Sequence, residues 1–190
     1  MSSAASYIAL TKPRILPLVL FSGLPALVLA AGGWPSPALI LATLMGTAFS
    51  AAAANSLNSY LERDKDALME RTQLRPLPAG EIRPGRALLF GLTLAVLGVG
   101  LLWATVGQTP ALISVAALGI YIFVYTLWLK PRTSFAVIVG GISGAIAPLI
   151  ADAAVDGHIG IAGWLLFAII FIWQPPHFYA IALFRREDYA

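Results

Sequence analysis

Long tracts without a single charged residue constrain this chain more than any other feature. Residues 15–33, 38–61, 87–129, 133–151 and 157–184 contain no Asp, Glu, Lys or Arg. A helix crossing a hydrocarbon core of about 30 Å needs roughly 20 apolar residues at 1.5 Å each. The third tract is long enough for two such helices, and Gly107-Gln108-Thr109-Pro110 interrupts it. The tracts therefore predict an all-α, multi-pass transmembrane bundle with six spans, near 15–33, 38–61, 87–107, 110–129, 133–151 and 159–184. Only 11% of the residues are charged, against about 25% in ordinary soluble domains, so too little polar surface exists to coat a water-soluble globule. The absence of cysteine excludes a disulfide scaffold, a thiolate metal site and a cysteine nucleophile.

The basic residues report orientation. All 12 Lys and Arg fall before span one, between spans two and three, between spans four and five, or after span six. The opposite connections carry only Asp152 and Asp156. The positive-inside rule then puts both ends and the long 62–86 connection in the cytoplasm. The net charge of +3 is a topology signal, and a nucleic-acid partner is not expected. Gly32-Gly33-Trp34-Pro35 reads as a turn rather than a cleavage site, so span one is retained. The N-terminus has no Arg- and Ser-rich transit segment, which favours a bacterial inner membrane over an organelle.

Eleven of the 21 charged residues lie between Glu62 and Arg86. Span two enters this segment without a breaker, so its helix is expected to continue to about Met69. Asn58, Glu62 and Asp66 then share one face, with Asn55 near the same stripe. Two carboxylates and an amide offer hard oxygen ligands, which suit Mg²⁺ completed by water and substrate phosphate. A solvated helix end is the plain alternative. Against it, Asn58 and Glu62 follow the small apolar run Ala51–Ala54 at the membrane boundary, where polar groups are costly and usually functional. The basic, proline-stiffened loop from Arg71 through Arg75-Pro76-Leu77-Pro78 to Gly80 suits a phosphate. A second cluster, His177, Arg185, Arg186, Glu187 and Asp188, follows Pro175-Pro176, and these two prolines are expected to break or sharply kink span six. Lys130 and Arg132 lie on the same membrane face, where leaving-group neutralisation and ordinary positive-inside anchoring both account for them. The span glycines and prolines, among them Gly98, Gly140, Gly141, Gly144 and Pro148, read as close helix packing.

These residues resemble a known family. Asn58-Ser59-Tyr60-Leu61-Glu62-Arg63-Asp64-Lys65-Asp66 followed by Arg75-Pro76-Leu77-Pro78-Ala79-Gly80 is similar to the first acidic motif of the UbiA-type intramembrane prenyltransferases. Thr11-Lys12-Pro13-Arg14, Tyr125 to Lys130, and Trp173-Gln174-Pro175-Pro176-His177-Phe178 through Arg186-Glu187-Asp188-Tyr189 resemble the protohaem IX farnesyltransferase branch of that family. The resemblance implies transfer of the farnesyl group of farnesyl diphosphate to a vinyl group of haem B, giving haem O. Mg²⁺ would promote diphosphate departure, the vinyl π bond would attack the farnesyl cation, and water would complete the product. The resemblance assigns Asn58, Glu62 and Asp66 to the first metal–diphosphate site and Glu187 and Asp188 to the second. Arg71, Arg75, Lys130, Arg132 and Arg186 become diphosphate partners, and His177 a haem-side contact. A downstream haem-modifying enzyme or terminal oxidase assembly is an implied partner, beside the lipid bilayer. Ser59 and Glu62 stand where the wider family often has aspartates, and Phe184 where it commonly has the leading acid of the second motif. Such proteins have about nine transmembrane helices, so the resemblance reads 1–190 as one domain, incomplete at its C-terminus. Part of the pocket wall is then missing, and activity of the chain as given is left open. A related enzyme with an aromatic or quinone-precursor acceptor, a cation transporter fragment using Asn58 and Glu62, and a non-enzymatic assembly subunit are the competing readings.

Overall fold

The computed structural model describes residues 3–184, and all the regular structure within them is helical. Helix α1 (Ala4–Leu10) is short, and its first turn is capped by the Ser3 side chain accepting from the Ser6 amide. Helix α2 (Leu16–Ala30) and the 30-residue α3 (Pro37–Asp66) follow, the latter capped by Ser36 with Pro37 in its first turn. Both features satisfy or remove amide donors that a helix start leaves unpaired. Helix α4 (Pro84–Thr105) is separated from α5 (Gln108–Leu129) by Gly107, which adopts φ 154° at the turn. Helices α6 (Ala136–Ala145) and α7 (Ala147–Asp156) meet at Ile146, and α8 (Ile161–Phe184) closes the described chain.

Five segments are long and apolar enough to cross a membrane: α3, α4, α5, α6–α7 together, and α8. The first apolar tract, 15–33, forms only the 15-residue α2, about 22 Å long at 1.5 Å per residue, because the chain turns at Lys12–Ile15 before the helix begins. Helix α3 ends at Asp66 rather than near Met69. Helix α8 runs through Pro175 and Pro176 without ending, so the expected break is absent. Two prolines remove two amide donors, but α8 packs along both α6 and α7, and such contacts hold proline-containing helices in membranes. The interruption falls in span five instead, at Ile146, where Pro148 opens α7.

The most heavily buried element is α7, from Ala147 to Ala154, against α2 and α5. Outward side chains such as Phe21, Leu89, Val96 and Ile172 are largely exposed, the surface expected where hydrocarbon replaces water. Helices α3 and α4 make the closest approach. A Cβ at Gly98 would lie 2.7 Å from the Ser50 amide nitrogen and 2.9 Å from the Gly46 carbonyl oxygen, so only glycine allows these backbones to touch.

The candidate functional site

Asn58, Glu62 and Asp66 lie on one face of α3, all buried, with 2%, 8% and 6% exposure. They point into the bundle, so the solvated-helix alternative does not hold. Each is held by a cation from a different part of the chain. Lys12 Nζ donates to Asn58 Oδ1 at 3.0 Å. Lys130 Nζ lies 2.5 and 2.7 Å from the two Glu62 oxygens. Arg75 Nη1 donates to Asp66 Oδ2 at 2.8 Å. Asn58 Nδ2 also donates to Glu62 Oε2 and to Thr126 Oγ1, at 3.0 and 3.3 Å.

Local structure explains each arrival. The C-terminal half of α5, Ile120–Leu129, is a π-helix, and its wider turn ends with the Lys130 amide bonded to the Tyr125 carbonyl at 2.9 Å. Thr126 and Lys130 thereby face α3 together. After α3 the chain folds back, with Thr72 Oγ1 donating to the Asp66 carbonyl at 2.7 Å, and this return carries Arg75 to Asp66. Leu10 of α1 packs with Leu77, Ile82 and Ala87, which lays the N-terminal segment over the end of α3. Asn55 Nδ2 then pins the Thr11 carbonyl at 2.9 Å. Lys12 follows in a left-handed conformation, φ 52°, unusual for a residue other than glycine and seen mostly where surroundings enforce it. Burial pulls its ammonium down to about 8, with Arg75 and Lys130 adding to the effect and Glu62 and Asp66 opposing it.

Three cations against two buried carboxylates leave the cluster one positive charge in excess, with the Lys130 and Arg75 side chains 41% and 33% exposed. An incoming anion would relieve that excess. Of the cluster, Lys12 lines a cavity of about 300 Å³, whose wall also includes Asn55 and the apolar Val19, Leu118, Val137 and Ile150. A second cavity, of about 140 Å³, lies between Lys12, Ser59, Asp66, Arg75 and Pro76. Through Lys12 the charged site borders an apolar chamber of the size that small-molecule sites begin at.

Among the described residues no three carboxylates, histidines or cysteines converge as a ready metal cage. The hard-oxygen set of Asn58, Glu62 and Asp66 nonetheless fits Mg²⁺, which takes one or two protein carboxylates and fills its shell from water and phosphate. Lys130 and Arg75 hold those carboxylates. Of the other expected site residues, Arg71, Arg132 and His177 are not gathered here. Arg71 is exposed. Arg132, also exposed, donates to the Trp128 carbonyl at 2.6 Å, at the end of its own helix. His177 is exposed and stacks on Trp173, ring centroids 4.3 Å apart. Arg186, Glu187 and Asp188 lie outside the described residues. Lys12 and Thr126 fall within stretches that carry the family resemblance, but sequence reasoning gave neither a role in the site; the signal available for Thr126 was its place four residues before Lys130.

Comparison with known proteins identifies the family and the fold. The UbiA prenyltransferase family profile matches residues 19–190. The protoheme IX farnesyltransferase of Leptospira biflexa is 46% identical over 180 residues, 95% of this chain and 63% of that protein. The enzyme of the same name from Symbiobacterium thermophilum is 47% identical over 183 residues, 96% of this chain and 61% of its own length. The chain thus spans somewhat under two thirds of these relatives. A UbiA homologue from Archaeoglobus fulgidus, solved with DMAPP and Mg²⁺, superposes with a TM-score of 0.72 at 22% identity, covering 96% of this chain and 66% of that one. A digeranylgeranylglyceryl phosphate synthase structure gives 0.77 at 18% identity, covering 88% and 58%. With the profile covering nearly the whole chain and the helices following the same path, this chain belongs to the UbiA prenyltransferase family.

Proposed function

We propose that this chain forms the diphosphate-binding part of an enzyme that transfers the farnesyl group of farnesyl diphosphate to a vinyl group of haem B, giving haem O. The observation that carries the reading is the net-positive cluster of Lys12, Arg75, Lys130, Glu62, Asp66 and Asn58, its carboxylates buried, beside an apolar cavity that Lys12 lines. An amphiphile with an anionic head and a hydrocarbon tail matches both halves. The roughly 45% identity to proteins named protoheme IX farnesyltransferase supports the choice of acceptor. Lys12, Arg75 and Lys130 bind the diphosphate oxygens and stabilise the charge that develops as the allylic C–O bond breaks. Asn58, Glu62 and Asp66 would hold Mg²⁺, which would supply further neutralisation of the diphosphate. The cavity wall keeps the prenyl chain folded toward the acceptor. The vinyl carbon then bonds to the farnesyl C1, and water adds to the resulting cation with loss of a proton. Arg71, Arg132 and Arg186 are further diphosphate partners, Glu187 and Asp188 a second metal site, and His177 a haem contact. The active face is the basic, cytoplasmic one of a bacterial inner membrane.

Membranes containing the protein, given radiolabelled farnesyl diphosphate with haem or with 4-hydroxybenzoate, test this reading. Label is expected in a haem product only when Mg²⁺ is present. Label in the benzoate and none in haem would overturn the acceptor, and cation transport without diphosphate release would overturn the enzyme.

A further inference from the structure

Most polar side chains on the cavity wall are already partnered. Asn55 donates to the Thr11 carbonyl, Thr47 to Thr43, Ser143 to Ala117, and Ser114 to Ser50. Gln174 of α8 differs. It is 8% exposed, lines the cavity, and makes no hydrogen bond among the described residues. Its amide is seated on a glycine: a Cβ at Gly144 would stand 2.6 Å from Oε1 and 3.0 Å from Nε2. Gly140 makes room in the same way for the ring of Tyr125, whose nearest atom would lie 2.8 Å from a Cβ there. These glycines of α6 therefore shape the chamber by admitting side chains, in addition to letting helices approach.

An amide that faces a cavity without a protein partner is open to a polar atom of a ligand or to water. A prenyl chain is pure hydrocarbon and would leave the amide unpaired. We propose that Gln174 contacts the acceptor, hydrogen-bonding an oxygen on the edge of a flat, otherwise apolar molecule and so selecting for it. This inference rests on the prenyl-transfer reading given above, in which two substrates share the cavity. An amide both donates and accepts, so it satisfies either a carboxylate or a hydroxyl oxygen.

Two variants of the intact membrane-embedded protein test it. Gln174→Leu keeps the bulk and removes the polar atoms. Gly144→Ala displaces the flexible end of Gln174 rather than any backbone. In both, the KM for haem is expected to rise about tenfold, the loss typical of one buried hydrogen bond, while the KM for farnesyl diphosphate stays unchanged. Haem titrated without farnesyl diphosphate, followed by its absorbance, should bind more weakly by the same factor. An unchanged haem KM in both variants overturns the proposal, as does a rise confined to the farnesyl diphosphate KM. Wild-type membranes that prenylate no acceptor overturn the underlying reading before any variant is compared.

Discussion

Lys12 shows how a single residue acquires a role from its neighbours. Its backbone sits at φ 52°, its side chain is bonded to Asn58, and burial has pulled its ammonium down to about 8. Glycine occupies the left-handed region without strain, so Lys12→Gly removes the cation while leaving the backbone comfortable. The expected outcome is a KM for farnesyl diphosphate raised about tenfold, the worth of a charged hydrogen bond of roughly 1.5 kcal/mol, with no fall in melting temperature. A variant that melts lower and keeps its KM would mean that Lys12 only fastens the N-terminal segment. The face of α3 was legible because helical spacing alone aligns Asn58, Glu62 and Asp66 once the helix is known to continue. Lys12 was not legible in the same way. It reaches the site only because Leu10 packs under the 67–83 connection and Asn55 grips Thr11, contacts that join residues far apart in the chain.

At the scale of elements, charge-free length located the helices well and described their interiors poorly. Proline did not mark the helix ends, since α8 continues through two of them whereas α6 and α7 separate at Ile146. The π-helix within α5 leaves no trace in a run as uniformly apolar as Ile120–Leu129, yet its wider turn sets Thr126 and Lys130 against α3. Small residues were legible as packing sites, and the α3–α4 contact gives that reading atomic content. Gly98→Ala would drive a methyl group into the backbone of Ser50 and Gly46. Overpacking of this kind costs about 1–3 kcal/mol, so detergent-solubilised protein should unfold several degrees lower, measured by a thermal shift. A melting temperature within error of the wild type would show that α4 slides away freely.

Across the whole molecule, the charge pattern and the fold make a joint statement about sidedness. Lys12, Arg75 and Lys130 come from three separate connections, and they converge on one end of the bundle. Asp156 and His158 pair at 3.0 Å in the turn joining α7 to α8, a connection that carries no Lys or Arg. The chain has no cysteine, so single cysteines report orientation without background. Leu74→Cys should be labelled from the cytoplasm by an impermeant maleimide, and His158→Cys only from the opposite side; the reverse pattern would invert the topology. The head site itself is tested most directly by binding a non-hydrolysable farnesyl diphosphate analogue to the membrane-embedded protein. With Mg²⁺ present the wild type should bind it, and either chelating the metal or replacing Asp66→Asn and Glu62→Gln together should weaken binding at least tenfold. Equal affinity in all three conditions would contradict the account, because the buried face of α3 would then have no part in holding the diphosphate.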